Sequence, residues 1–176
     1  MNRTTYSEKQ ELLVQCINHR KQTFVVLFDE RKEQAGGTTD ETGEDSGREQ
    51  YSYQQAIFPF PPPMTLIKKT VKEGINERIR DTIESGFEWQ GHKVWLSEDN
   101  QRNYEADHNI AILTAGKNLP VTFKFGTDEE PDPYTFEDTA TLMDFWTKAR
   151  KFINDTLEAG RREKEDIDWS KYMYYT

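Results

Sequence analysis

Apolar residues recur every four positions through Ile67, Val71, Ile75, Ile79 and Ile83, drawing one ridge along a helix that begins near Thr65. A second series, Leu142, Phe145, Trp146, Ala149, Phe152, Ile153 and Leu157, predicts a long helix from about Glu137 to Ala159. Thr135-Phe136-Glu137-Asp138 offers it a capping box and Gly160 a stop. A third helix is expected over Ser97–Ala115, with Tyr104, His108, Ala111, Ile112 and Ala115 on one face. Ser97 supplies its N-cap, and Gly116 ends it. Gly86 closes the first helix, and Gly74 within it costs about 1 kcal/mol relative to alanine, which points to close packing there.

Between the helix that Gly86 closes and the one that Ser97 caps, Gly86-Phe87-Glu88-Trp89-Gln90-Gly91-His92-Lys93-Val94-Trp95-Leu96-Ser97 reads as two short strands closed by a Gln90-Gly91 turn. Leu119–Phe125 alternates apolar and polar residues as a half-buried strand does, and an acidic loop over 126–133 leads to a short strand at Tyr134-Thr135-Phe136. Nearer the N-terminus, Ser7-Glu8-Lys9-Gln10 has the form of a capping box ahead of Leu12, Leu13, Cys16 and Ile17. That spacing predicts a short helix, with a strand over Glu11–Ile17 as the alternative. Thr23–Phe28 and Tyr51–Phe58 read as strands paired antiparallel, joined by a flexible excursion over residues 30–50 that holds glycines among acids. Four prolines among residues 59–63 then enforce an extended linker. The expected fold is α+β: three helices packed with two short β-hairpins in a main domain over 64–160. An N-terminal hairpin arm over 1–63 and a charged, then aromatic, tail over 161–176 complete it.

Composition agrees with a modest core carrying long polar excursions. Mean hydropathy is −0.95 over 176 residues, yet aromatics reach 12%, which argues against wholesale disorder. The formal charge of −9 is concentrated: residues 30–50 hold seven acids against three bases, and residues 126–138 hold six acids and no base. Such runs repel a phosphate backbone, so nucleic acid is not expected as a partner. Cys16 is the sole cysteine, which excludes an intrachain disulfide and a cysteine-based zinc site. No run approaches the roughly 20 apolar residues that span a bilayer, and the first residues lack the apolar segment of a signal peptide. Residence in a cytoplasm is expected unless the chain leaves as part of an assembled particle.

Candidate chemistry changes this picture little. His19, His92 and His108 lack metal-ligand spacing and read as surface or packing residues. Glu98 and Asp99 sit where a helix dipole favours acids. Asp128, Glu129, Glu130 and Asp132 lack the order of a calcium loop and offer at most an adventitious cation site. Cys16 reads as a small core residue, and no nucleophile–base constellation stands out. The chain is therefore expected to be non-enzymatic, with no cofactor and no metal. Trp89 and Trp95 are expected in the core. By contrast Phe24, Val26, Phe28, Tyr51, Tyr53, Ile57, Phe58, Trp169, Tyr172, Tyr174 and Tyr175 exceed what a three-helix domain covers, and predict contact with another chain.

The segment Ile75–Trp169 also carries a recognisable order of residues. A helix closes on Gly86-Phe87, followed by Trp89-x-Gly91-His92, by Val94-x-Leu96-Ser97 and by a helix beginning near Asn100-Gln101. A strand led by Pro120-Val121-Thr122-Phe123 precedes a helix with Phe145, Ala149 and Phe152-Ile153-Asn154. This resembles an uncharacterised domain found in tail-fibre and tail-fibre-assembly proteins of tailed bacteriophages and prophages. It covers somewhat more than half the chain; family members often carry a Trp where this strand begins with Pro120-Val121. The resemblance implies a bacteriophage structural protein of the tail, fibre attachment or baseplate, assembled in the host cytoplasm and carried in the virion. Its expected partners are other phage structural proteins, or copies of itself as a homo-oligomer. A tail-fibre assembly chaperone and a small acidic regulatory binder are the alternatives. The family supplies no catalytic residues to carry over.

Overall fold

The computed structural model describes residues 3–34, 49–127 and 130–174. In chain order the elements are β1 (Arg3–Tyr6), β2 (Val14–Asn18), β3 (Thr23–Gln34), β4 (Glu49–Phe58), α1 (Met64–Ser85), β5 (Phe87–Trp89), β6 (His92–Val94), α2 (Glu98–Leu113), β7 (Val121–Gly126), β8 (Pro131–Phe136) and α3 (Thr139–Glu165), with a 3-10 turn at Trp169–Tyr172. The fold is α+β. The chain divides into two compact units, Met1–Asn76 with Lys164–Thr176, and Glu77–Glu163. The division therefore falls within α1 and near the end of α3, whereas the prolines at 59–63 were the expected boundary; the tail belongs with the N-terminal strands.

The first unit is built on an antiparallel sheet in the order β1-β4-β3-β2. Its central strand β3 carries Phe24-Val25-Val26-Leu27-Phe28, all buried. Successive side chains of a strand point to opposite faces, so this run makes both faces of the sheet apolar. On one face Val25 and Leu27 join Tyr53 in a small core, against which Tyr6, Leu13 and Tyr51 pack. The Tyr53 hydroxyl there accepts from the Gln10 amide at 3.0 Å and donates to Glu30. On the other face the Phe28 ring occupies the space a side chain on Gly74 of α1 would need. Beside it the Phe24 ring lies 5.2 Å from that of Tyr174, whose hydroxyl donates to the Pro62 carbonyl.

Strand β1 is fixed at the sheet edge by charge as well as by its ladder. A bulge in β3 shifts the register between Phe28 and Arg31, and Asp29 within it has φ 52°. The Arg3 guanidinium reaches the Asp29 carboxylate at 2.7 Å and the main-chain carbonyls of Asp29 and Ser52 at 2.8 and 3.0 Å. The Asp29 side chain is only 3% exposed, so its desolvated charge needs such a partner.

The second unit gathers around Trp89. Its ring packs within 5.0–6.3 Å of Tyr134, Phe145, Phe136 and Phe125, and its Nε1–H donates to Asp144 of α3 at 3.1 Å. The turn that presents Trp89 has Gln90 at φ 50° and Gly91 at φ 86°, the left-handed pair that a two-residue hairpin requires. Ser97 caps α2 by accepting from the Asn100 amide, as its position predicted. Tyr104 and Ala111 form the buried stripe of that helix, while Ile112, expected beside them, is 46% exposed.

Four local expectations are corrected. Residues 7–13 form bends rather than a helix, and Val14–Asn18 is a strand paired with β3. The helix-like spacing of Leu12, Leu13, Cys16 and Ile17 is outweighed by the edge of a sheet that offers Val14 full burial. Strand β8 begins at Pro131, earlier than the expected acidic loop allows; Pro131 and Pro133 are accepted because the sheet has two strands and each presents an open edge. Gly160 does not stop α3, which runs on to Glu165. It lies buried where a side chain would meet the Ile79 side chain of α1, and an Arg78–Glu163 ion pair sits one turn further along. The last helix is capped by Asp138, which accepts from the Thr141 amide at 2.8 Å, rather than by Thr135.

A glycine tolerated inside a helix for contact makes an opposite-signed prediction from one tolerated by accident. Gly160→Leu improves helix propensity by about 1 kcal/mol, yet it forces a side chain into Ile79. Overpacking of this kind costs about 1–3 kcal/mol, so the substitution is expected to lower the melting temperature. A thermal melt followed by circular dichroism decides it; a raised melting temperature would mean the two helices separate without cost.

Candidate protein-contact surfaces

Most of the residues predicted to meet another chain are used by the first unit itself. Phe24, Val26, Phe28, Tyr53 and Tyr172 are buried, and Tyr51, Phe58, Trp169 and Tyr174 are half-buried. Tyr175 lies outside the described residues. The physical reason is the double burial of β3: the connection from β1 to β2 covers one face, and α1 with the returning tail covers the other. Trp169 is held under the ammonium of Lys68, 5.3 Å from the ring centre, and its ring lies tilted 5.4 Å from that of Tyr172. The tail is further tied by the Leu13 amide, which donates to the Lys171 carbonyl at 2.8 Å.

Ile57 is the member of the predicted set that stays in water, at 57% exposed. On β4 it pairs with Val25 of β3, which in turn faces Gln15 of β2, so all three share one row of the sheet. Leu12, Ile17 and Phe60 of the same unit are exposed to a similar degree, and the Phe60 ring lies 6.0 Å from that of Phe58. Leu12, Ile17 and Phe60 were not singled out from the sequence; Ile17 and Leu12 had been assigned to a buried helix face. In the second unit Ile110, Ile112 and Leu113 are exposed together at the end of α2, with Leu113 85% exposed. Ile110 and Leu113 lie one turn apart on the helix, with Ile112 on the other side of the buried Ala111, and burial within the unit explains none of the three.

The polar candidates are drawn into structural roles. His92 meets Asp132 at 2.6 Å, joining the first hairpin to the second, among the rings of Trp89, Phe125 and Tyr134. His108 lies against Trp146, and His19 sits in the exposed turn after β2. Cys16 is half-buried on β2. Of the acidic run, Asp128 and Glu129 lie outside the described residues; among those described, no group of three His, Cys, Asp or Glu side chains converges as metal ligands would. Asp138 has its carboxyl held below the usual carboxylate range by the Thr141 amide it caps. No helix among the described residues is long and apolar enough to cross a membrane.

Tyr104 stands apart. It is 3% exposed, packed 4.6 Å from Phe123 and 5.1 Å from Phe145, and burial alone pushes its phenol up to about 12. The ordinary value is 10.0. An acid whose pKa is raised by folding keeps its proton longer in the native state than in the unfolded one. Stability is therefore undiminished below pH 10 and falls as the unfolded chain ionises between about pH 10 and 12. Tyr104→Phe removes that dependence. Urea unfolding of wild type and variant at pH 9 and pH 11 is expected to show wild type losing stability relative to the variant at the higher pH.

No family model, curated protein or solved structure matches the chain.

Proposed function

We propose that the chain is a non-enzymatic structural protein of a tailed bacteriophage, a tail, fibre-attachment or baseplate component that works by contact with other phage proteins. The observation that carries this reading is the set of large apolar side chains left in water. Leu12, Ile17, Ile57 and Phe60 are exposed in the first unit, and Ile110, Ile112 and Leu113 in the second. Removing one such side chain fully from water contributes about 1.5–3 kcal/mol, so a partner that covers several of them gains substantially. The resemblance of residues 75–169 to the tail-fibre-associated domain supports the phage setting. An assembly chaperone using the same surface is the second reading, favoured by the same side chains and differing only in whether the chain stays in the mature particle.

Ile57 gives the sharpest test, because it is exposed and its replacement disturbs little packing. Ile57→Lys together with Ile17→Lys should leave the thermal melt within about 1 kcal/mol of wild type. The double variant should nevertheless fail to co-purify with particles or with their assembly intermediates. Mass spectrometry of purified virions, with wild type and variant supplied in turn, reads both outcomes. Wild-type chain in the finished particle supports the structural role, and its presence in intermediates alone supports the chaperone. Undiminished incorporation of the variant would remove the sheet surface from the proposal.

A further inference from the structure

The segment Pro59-Phe60-Pro61-Pro62-Pro63 joins β4 to α1, and its composition restricts its backbone. A proline fixes its own φ at about −65°, and a residue ahead of a proline is driven into the extended region. Phe60, Pro61 and Pro62 each precede a proline, so Phe60–Pro63 is driven toward the polyproline II conformation, which repeats every three residues. In that repeat Phe60 and Pro63 lie along one edge, Pro61 along a second and Pro62 along the third. Burial follows these edges: Phe60, Pro61 and Pro63 are exposed, and Pro62 is buried. The chain bends at Pro59 and Phe60, and Pro59 is exposed as well. Ile57, at the end of β4, extends the same exposed run.

The main chain of this segment accepts hydrogen bonds and hardly donates any. Its four prolines leave Phe60 as the single residue with an amide N–H. The Pro62 carbonyl accepts from the Tyr174 hydroxyl at 3.2 Å, and the Pro63 carbonyl from the amides of Leu66 and Ile67 at 2.9 and 3.1 Å. These bonds seat the third edge on the tail and start α1. The carbonyls of Pro59, Phe60 and Pro61 accept from no described residue. Joining a strand to a helix does not require a large ring in water, yet Phe60 is 45% exposed, its ring tilted 6.0 Å from that of Phe58.

We infer that Pro59–Pro63 is a docking segment, read by an aromatic-lined groove on a partner protein whose indole N–H or phenol O–H groups donate to the three carbonyls. Proline rings and Phe60 offer flat apolar faces to such a groove. Pairing as a β-strand is ruled out, because it needs main-chain donors that prolines lack. The prolines hold the segment near its docked shape beforehand, so little conformational freedom is lost on binding. The inference rests on the protein-contact reading and names the chemistry of the partner for one part of the exposed surface. A partner that covers only Leu12 and Ile17, or the end of α2, would leave this segment unused, so the two can fail separately.

The test uses the full-length chain, isotope-labelled for NMR, with a WW domain and an EVH1 domain as probes, because both take proline-rich segments in aromatic-lined grooves. At least one of them is expected to shift the amides of Ile57, Phe58, Phe60 and Met64. Phe60→Ala should weaken that binding about tenfold, the effect of one aromatic ring withdrawn from the contact. Pro61→Ala should weaken it too. Both side chains are exposed, so each variant should melt close to wild type. The inference is overturned if neither domain shifts these amides, or if both variants bind as tightly as wild type. In particles, a chain carrying both substitutions should be incorporated less than wild type; equal incorporation overturns the inference and leaves the structural role standing. Binding of a probe domain by a chain that never enters particles upholds the docking segment and removes the phage setting instead.

Discussion

Phe24 to Phe28 place five large apolar side chains in succession on β3, and a strand shows successive side chains to opposite faces. A sheet that met water on one side would leave Val25 and Leu27, or Phe24, Val26 and Phe28, exposed. The chain answers from both ends. Residues 6–13 return over one face, bringing Tyr6 and Leu13 to Val25, Leu27 and Tyr53. The C-terminal tail returns with Tyr174 over the other, alongside the start of α1. Isolated two-stranded hairpins are marginal in water, and here the hairpin of β3 and β4 is widened to four strands and covered twice. The remaining exposed residues, Ile57 and its neighbours, are those for which no segment returns.

The second unit solves the same problem with aromatic volume. Its strands are two short pairs, too small to enclose a core by themselves. Trp89, Phe123, Phe125, Phe136, Phe145 and Tyr104 fill the space between these pairs, α2 and α3, in mostly tilted and edge-on contacts. Such geometries add to simple burial because ring edges and faces carry opposite partial charge. The hydrogen bond from Trp89 to Asp144 satisfies the polar atom that so deep a tryptophan would otherwise strand.

The helices and the tight hairpin were legible in the sequence because their signals are local. The Ile67–Ile83 ridge is buried throughout, and the Gln90-Gly91 turn has the backbone it was expected to need. What failed depended on partners distant in the chain. Nothing near Arg3 announces a strand; its place is set by Asp29 and Ser52, which only the fold brings within reach. Gly160 reads as a helix stop until Ile79 is seen against it. The aromatic tail reads as surplus because β3 demands two covers, and that demand is visible only once the strand is known to lie in the middle of a sheet.

Charge bears on which partner such surfaces accept. Each copy carries −9, so two copies approaching repel at the distances over which charges act in physiological salt, about 8 Å. Their exposed aliphatic patches are small and scattered over both units, far from the continuous apolar face of an obligate dimer. Repulsion of like surfaces and modest apolar area together favour a different, more basic partner over self-association. Such a partner is attracted by the field before contact and held by the aliphatic side chains after it. The homo-oligomeric form of the proposal is thereby the weaker one on physical grounds, and an adaptor between unlike proteins the stronger.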